Sequence, residues 1–133
     1  MKDVAATVID SALDREYCDF VGDVAARIPL YMICAIMGVP DSDWDTLFSL
    51  SRQAFEAGDA MTRRFAHLDI MGYFEDLTAV KAANPADDVV SVLVTGEIEG
   101  GRISQEEIIL ICDNLFVGGT ENTRIAAAGG MMA

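Results

Sequence analysis

Apolar residues recur along this chain with a helical period almost throughout. Val4 and Val8, and then Ile9 and Leu13, are four residues apart, which is the spacing of a first helix. The helices that this period predicts cover, in approximate bounds, residues 4–13, 24–37, 41–57, 61–83, 88–94 and 105 onwards. The pattern therefore predicts an all-α fold of about six helices.

Residues that begin or end helices mark several of these boundaries. Pro29 lies in the first turns of the second helix, where a missing N–H costs little, and Gly38-Val39-Pro40 ends that helix. Asn84-Pro85 ends the fourth helix, because the residue before a proline disfavours the helical conformation. Ser104 and Glu107 have the spacing of a capping box and predict the start of the last helix.

Two stretches have strand-like character. Tyr17-Cys18-Asp19-Phe20-Val21 is short, aromatic and β-branched, and predicts a lone strand. Thr95 to Ile103 contains Gly100-Gly101 and predicts a small hairpin or loop. We expect at most one short strand or hairpin in the fold. The chain has no internal repeat or linker, so residues 1–133 are assigned to a single helical domain.

The second and last predicted helices are apolar on most of their circumference, which is typical of interior helices. The last helix runs through Ile108–Val117 and then meets Gly118-Gly119. Each glycine inside a helix costs about 1 kcal/mol relative to alanine. We therefore expect either a kink or a bulky object pressed against the bare backbone at this point.

Composition shows what the surface is suited to bind. The chain has 133 residues, a formal net charge of −13 and 52% apolar residues. This acidity argues against a nucleic-acid surface, which needs clustered Lys and Arg, and an anionic membrane would repel the chain. The most apolar run, Ile108–Val117, is too short to span a membrane and is broken by Asp113 and Asn114.

The apolar content is also higher than a domain of this size normally carries. We expect the apolar faces of the second and last helices to be covered from outside these residues, as in a homo-oligomer. The three cysteines, Cys18, Cys34 and Cys112, are odd in number and far apart. They predict neither a disulfide framework nor a zinc site, and the expected location is the reducing cytoplasm.

Candidate metal chemistry is weak. Asp41-Ser42-Asp43-Trp44-Asp45 has the first acids of a calcium loop, but Thr46 and Arg52 occupy the positions that need Gly and Glu. The favoured interpretation is a cluster of acids at a helix N-terminus, with Asp41 as the cap. No metal site is predicted.

His67 and the cysteines have an ordinary structural interpretation beside a functional one. His67 is the only histidine and forms a basic spot with Arg63 and Arg64. A solvated helix face is favoured over a contact with a partner or an anionic ligand. Cys34 and Cys112 are interpreted as small core residues, since no neighbouring cation in the sequence favours the thiolate.

The most informative segment is Gly118-Gly119-Thr120-Glu121-Asn122-Thr123. It is neither a dinucleotide-binding fingerprint nor a P-loop, because no strand precedes it and the glycine spacing is wrong. It places a carboxylate and three hydrogen-bonding side chains in an otherwise apolar helix, where such groups cost free energy unless satisfied. A helix kink with local capping and a functional site both remain open from these residues alone.

This segment resembles the distal-helix signature of the cytochrome P-450 haem monooxygenases of bacterial type, an Ala/Gly-Gly-x-Asp/Glu-Thr-Thr pattern. The similarity continues in residues 19–40, with Ala25-Ala26-Arg27-Ile28-Pro29-Leu30, and in residues 95–107 before the last helix. It covers nearly the whole chain, in order and at ordinary spacing. The resemblance implies a central slice of that fold, ending in the distal helix.

The resemblance also implies roles for individual residues. Gly118 and Gly119 would face the haem and leave room for oxygen, and Glu121 would be the acid that delivers protons. Asn122 stands where the family usually has the threonine that orients dioxygen, and Thr123 matches the second threonine. Asparagine donates a hydrogen bond but has no hydroxyl proton to relay, so this position departs from the family pattern.

The family's cysteine loop that ligates the haem and its Glu-x-x-Arg helix have no counterpart in these 133 residues. We therefore expect a monooxygenase fragment that alone is inactive and binds no haem stably, with a complementary chain as a further candidate partner. The alternative is an oligomeric helical module that binds a partner or a small apolar ligand without haem. A third hypothesis is haem held by a substitute ligand such as Cys112, His67 or a methionine.

Overall fold

The structure is a computed structural model that describes the backbone of residues 2–132 and the side chains of residues 4–130. Its α-helices, in chain order, are α1 Lys2–Leu13, α2 Arg27–Met37, α3 Trp44–Glu56, α4 Ala60–Ala83, α5 Val89–Thr95, α6 Gln105–Val117 and α7 Thr123–Met132. A π-helical segment, Phe20–Ala25, leads into α2, and a second, Gly118–Asn122, joins α6 to α7. The second π-helical segment makes α6 and α7 one continuous helix. Residues 2–132 therefore form six helices, as predicted.

A small hairpin is the other regular element of the described chain. Strands β1 Glu97–Ile98 and β2 Gly101–Arg102 pair antiparallel, with Glu97 opposite Arg102. Gly100 and Gly101 turn the chain with φ values of 109° and 125°, which side chains with a Cβ disfavour. The predicted hairpin is confirmed, and the fold is all-α apart from it.

The core lies between α2, α3, α4 and α6. Its largest fully buried side chains are Leu30, Met37, Leu47, Ile70, Phe74, Val90 and Phe116. The rings of Phe74 on α4 and Phe116 on α6 meet edge to face, with centroids 5.6 Å apart. Burying an apolar side chain of this size contributes about 1.5–3 kcal/mol, so these contacts hold α6 firmly against α4.

Several predicted helix boundaries are confirmed by hydrogen bonds. The Ser104 hydroxyl accepts from the Glu107 amide at 3.3 Å, and the Glu107 carboxylate accepts from the Ser104 amide at 3.0 Å. Asp88 caps α5 by accepting from the Ser91 amide at 2.8 Å. Gly38 ends α2 with a φ of 81°, in the left-handed region that favours glycine.

Two local predictions are wrong. Residues 17–21 form no strand: Asp19 accepts a hydrogen bond from the Val21 amide at 3.1 Å and starts the first π-helical segment instead. Asp41 makes no capping bond with its side chain, because a 3-10 turn, Asp41–Asp43, precedes α3. The capping aspartate missed by the sequence is Asp59, which accepts from the Met61 and Thr62 amides at the start of α4.

One helical stretch of the described chain, Phe20–Met37, is long and apolar enough to cross a membrane, with a mean hydropathy of 1.6 over 18 residues. The sequence placed the most apolar run elsewhere, at Ile108–Val117. In the structure Leu30, Cys34 and Met37 of this stretch are buried in the core. Only 33% of the stretch is buried and Ile36 is 39% exposed, so the predicted interior helix is buried on one side and not on most sides.

Candidate functional site

The predicted break in the last helix is a π-helical turn. Gly118–Asn122 widens the helix between α6 and α7, while Gly118 itself keeps a helical φ of −64°. Such turns are rare and occur frequently at functional sites. The kink expected from the glycine pair is therefore present as a change of hydrogen-bond register rather than as a broken helix.

The two glycines have different surroundings. A Cβ at Gly119 would lie 2.9 Å from Cγ1 and 3.2 Å from Cβ of Ile33 on α2, closer than such atoms normally approach. A Cβ at Gly118 would meet no atom within 4 Å. Gly119 is therefore needed for packing against α2, whereas Gly118 leaves bare backbone beside open space.

Thr120 secures the buried side of the segment. Its side chain is buried, and its hydroxyl donates to the Phe116 carbonyl at 2.8 Å, one helical turn earlier. Bonds of this kind satisfy the hydroxyl and bend helices. Thr120 thus has the local structural role that sequence reasoning left open for the whole polar cluster.

Glu121 takes part in a bridge between α7 and α3. Arg124 donates to its carboxylate at 2.7 Å and to the Glu56 carboxylate at 3.2 Å. The two acids raise the pKa of Arg124, with the hydrogen bond from Arg124 to Glu121 as the main cause. We call this set the Glu121–Arg124–Glu56 bridge. Sequence reasoning missed Arg124, although its three-residue spacing from Glu121 is typical of a helical ion pair.

Asn122 and Thr123 are exposed, unlike Thr120. Asn122 continues a stripe of residues four apart that includes Leu110, Asn114 and Gly118. Leu110 is 50% exposed, and Ile125 in the next turn is 63% exposed. This stripe, which we call the open face of the long helix, combines apolar side chains, an amide and bare backbone.

Two of the three cysteines are buried in this fold. Burial raises the pKa of Cys34 to about 12 and that of Cys112 to about 11, so both are neutral thiols near pH 7. Their interpretation as small core residues is confirmed. Cys18 is exposed on the loop after α1. Among the described residues no group of three His, Cys, Asp or Glu side chains is placed to hold a metal ion.

The other two candidate clusters serve to join helices. Asp43 accepts from the Tyr73 hydroxyl of α4 at 2.7 Å, and Asp45 accepts from Arg27 of α2 at 3.1 Å. The predicted basic spot at His67 is not a single cluster in the structure, because Arg63 is directed to the Ala57 carbonyl, to which it donates a hydrogen bond at 2.7 Å. His67 itself contacts α6 and is not simply part of a solvated face.

No protein-family model matches the chain. Curated relatives include steroid C26-monooxygenases of Mycobacterium tuberculosis, 33% identical over 137 residues, and of Rhodococcus jostii, 33% identical over 132 residues. The first match covers 93% of this chain and 35% of the relative, and the second covers 97% and 28%. The chain therefore spans about a third of the length of the curated relatives it matches.

Solved structures show the same relationship. The mixed-function P-450 MycG superposes with a TM-score of 0.90 at 26% identity, over 97% of this chain and 34% of that chain. The P-450 OxyD, involved in the biosynthesis of vancomycin-type antibiotics, superposes with a TM-score of 0.81 at 38% identity, over 98% and 33%. Sequence and fold therefore agree over nearly all of these residues, and the chain belongs to the cytochrome P-450 family.

Proposed function

We propose that this chain forms the distal wall of the haem pocket of a cytochrome P-450 monooxygenase that inserts one oxygen atom into an apolar substrate. The observation that carries the proposal is the open side of Gly118 on a widened helix, beside a partly buried acid. Bare backbone next to open space fits a large flat cofactor, and the apolar side chains of the open face fit its surroundings. When bound, the haem iron would supply the activation of dioxygen.

Glu121 is the proposed proton carrier. Its side chain is 18% exposed, so it has access to water from one side, and Arg124 holds its carboxylate at 2.7 Å. An acid that relays protons must change partners, which here means leaving the guanidinium of Arg124. The Glu121–Arg124–Glu56 bridge therefore positions the acid and ties its movement to α3.

Asn122 is the proposed contact to oxygen. It is exposed on the open face, four residues after Gly118. An amide can donate and accept hydrogen bonds, but it has no hydroxyl proton to pass on. Protons would therefore reach the reacting oxygen through Glu121, Thr123 or water rather than through Asn122.

We further propose that these 133 residues by themselves bind no haem stably and do not catalyse. A haem-thiolate centre needs a cysteine sulfur that can reach the iron, and Cys34 and Cys112 are fully buried in the core between the helices. A complementary segment or chain would bring the thiolate. The alternative, a haem-free interaction module, is not favoured, because the relatives and solved structures matched here are monooxygenases and other P-450 proteins.

A spectroscopic experiment with two arms tests these proposals. The first arm adds haem to the 133-residue chain and records the visible spectrum after reduction under carbon monoxide. The second arm uses a chimera in which this chain replaces the aligned part of the Mycobacterium tuberculosis relative. We expect no thiolate-type band from the chain alone and such a band from the chimera.

Paired variants of the chimera locate the haem-facing surface. Gly118→Val should retain haem but weaken carbon monoxide binding, because the added side chain enters the open space beside Gly118. Gly72→Val on α4 is the matched control, since a Cβ there also meets no atom within 4 Å. Equal carbon monoxide affinity in the two variants would contradict the placement of Gly118. A thiolate-type band from the chain alone would contradict the proposal that it binds no haem.

A further inference from the structure

The side of α4 that faces solvent is apolar along its first half. The buried side chains of α4 pack against α3 and α6. On the opposite side Met61 is 58% exposed, Phe65 57% and Leu68 52%. Spacings of four and three residues place these side chains on one line along the helix, and Gly72 continues the line. We call these four residues the outer face of α4. Such a row of exposed apolar side chains is typical of a surface that packs against a partner.

The shape of the outer face is complementary to itself. A Cβ at Gly72 would meet no atom within 4 Å, so the helix has a notch there, one turn after the protruding side chain of Leu68. A second copy of α4 can lie antiparallel on this face, with a two-fold axis midway between residues 68 and 72. Leu68 of each copy then packs over the partner's Gly72, as ridges fit into grooves between helices.

The charges beside the outer face define the same axis. Arg64 and Glu75 are eleven residues apart, about three helical turns, and therefore lie on the same side of the face. Both are exposed, and neither side chain has an ion pair or hydrogen bond in the described part of the chain. An antiparallel two-fold axis brings this side against the same side of the partner, so Arg64 meets the partner's Glu75. The axis that pairs these charges differs from the axis set by shape by only half a residue, about 0.8 Å along the helix.

A parallel arrangement fits the same face less well. It would place Gly72 opposite the partner's Gly72 and leave a gap at the centre of the contact. It would also bring Glu75 close to the partner's Glu75, although Arg64 could then pair with the partner's Asp69 on the other side of the face. Antiparallel packing avoids both faults, and it also aligns the helix dipoles favourably.

We propose that the outer face of α4 binds the outer face of a second copy of this chain, antiparallel, with Leu68 over the partner's Gly72 and Arg64 paired with the partner's Glu75. A contact of two helices is at the small end of protein interfaces, where association is weak. The net charge of −13 also opposes it. We expect a dissociation constant on the order of 0.1–1 mM, so this dimer is not populated at micromolar concentration. The outer face is separate from the open face of the long helix, so the proposal stands independently of the haem chemistry.

Charge reversal at two neighbouring positions tests the contact. Sedimentation equilibrium is measured up to about 1 mM protein in about 0.15 M salt, with Ile125→Glu as the background so that the open face of the long helix does not contribute. Glu75→Arg should raise the dissociation constant about tenfold, because both copies of Arg64 then face an arginine. Asp76→Arg is the matched control, since it makes the same charge change at the next exposed residue but on the other side of the face. It should leave the constant unchanged or lower it, because the net repulsion decreases. Combining Arg64→Glu with Glu75→Arg should restore the parent value to within about threefold.

Cysteine trapping tests the orientation. In a Cys18→Ser background, which removes the exposed thiol, Leu68→Cys chains are mixed with Gly72→Cys chains in a glutathione buffer. The mixed disulfide should form faster than the disulfide of either variant alone, because a disulfide requires Cα atoms within about 7 Å. Mass spectrometry distinguishes the products, and circular dichroism checks that each variant is folded. Glu75→Gln and Asp76→Asn repeat the charge comparison if a reversal prevents folding.

Three results would overturn the proposal. The first is a chain that stays monomeric at about 1 mM, including one that instead binds vesicles of phosphatidylcholine. The second is an equal effect of Glu75→Arg and Asp76→Arg. The third is faster disulfide formation in Leu68→Cys alone than in the mixture, which would indicate parallel helices.

Discussion

At the scale of single residues, Gly118 and Gly119 divide two tasks that the sequence presents as one. Gly119 allows α2 to approach the long helix, and Gly118 keeps the backbone open on the other side. The signature pattern names both positions but does not distinguish a packing contact from an open face. That distinction depends on Ile33, which is far from Gly119 in the sequence.

This difference gives a stability prediction. Gly119→Ala should lower the free energy of unfolding by about 1–3 kcal/mol, because the added Cβ would lie too close to the Cβ and Cγ1 atoms of Ile33. Gly118→Ala should leave it unchanged or raise it by about 0.5–1 kcal/mol, since alanine favours the helical φ already adopted there. Urea unfolding of both variants measures the contrast. Equal effects would show that Ile33 moves away at little cost.

The site residues fall into those that sequence comparison finds and those that it does not. Glu121 and Asn122 were predicted through the resemblance, and the structure places them on one helical turn. Arg124 and Glu56 were missed, because their contact joins positions 68 residues apart. The contact of His67 on α4 with Asp113 on α6 was missed for the same reason: periodicity describes one helix at a time and cannot pair two helices.

At the scale of elements, helix ends were more predictable than short irregular segments. The capping box at Ser104 and the stop at Gly38 are local signals, in which a few neighbouring side chains decide the backbone. The strand prediction for residues 17–21 is wrong because a segment of five residues, four of them apolar or aromatic, is too short to show a clear period. Asp19 decides the outcome there by accepting a bond from the Val21 amide, which begins a helical turn.

Asp88 shows how one side chain joins three elements. It caps α5, pairs with Lys81 of α4 at 2.6 Å, and fills the space beside Gly38 at the end of α2. Burial alone would raise the pKa of Asp88, but the bonds from Lys81 and Ser91 outweigh it and the pKa is lowered. The sequence predicted a helix from about residue 88, and Asp88 is the side chain that caps it.

The lowered pKa predicts an acid-sensitive contribution to stability. An acid with a lower pKa in the folded chain stabilises it above the unfolded value and loses this effect as pH falls through the folded value. Asp88→Asn should cost about 1.5–3 kcal/mol at neutral pH and much less in acid. Thermal unfolding at neutral and acidic pH measures this. The exposed neighbour Asp87→Asn is the control, and an equal loss in both variants would contradict the role of Asp88.

At the scale of the whole molecule, two surface properties oppose each other. The net charge of −13 makes copies of the chain repel. Leu110, Leu115 and Ile125 leave the long helix apolar and exposed on its outer side. In the complete pocket proposed above, this side would face the cofactor. In the described part of the 133-residue chain, nothing covers it. The predicted homo-oligomer stays a prediction, and it is testable because the two properties respond oppositely to salt.

Association through the open face should be weak at low salt and stronger at high salt, since ions screen the repulsion but leave apolar burial intact. Sedimentation equilibrium at micromolar concentration, at low and high salt, measures it. Ile125→Glu should keep the chain monomeric at both, because it places another charge on the open face. Leu13→Glu is the matched control, as Leu13 is 76% exposed but belongs to α1. A parent chain that stays monomeric at high salt would contradict the predicted oligomer, and equal dissociation by both variants would place the contact elsewhere.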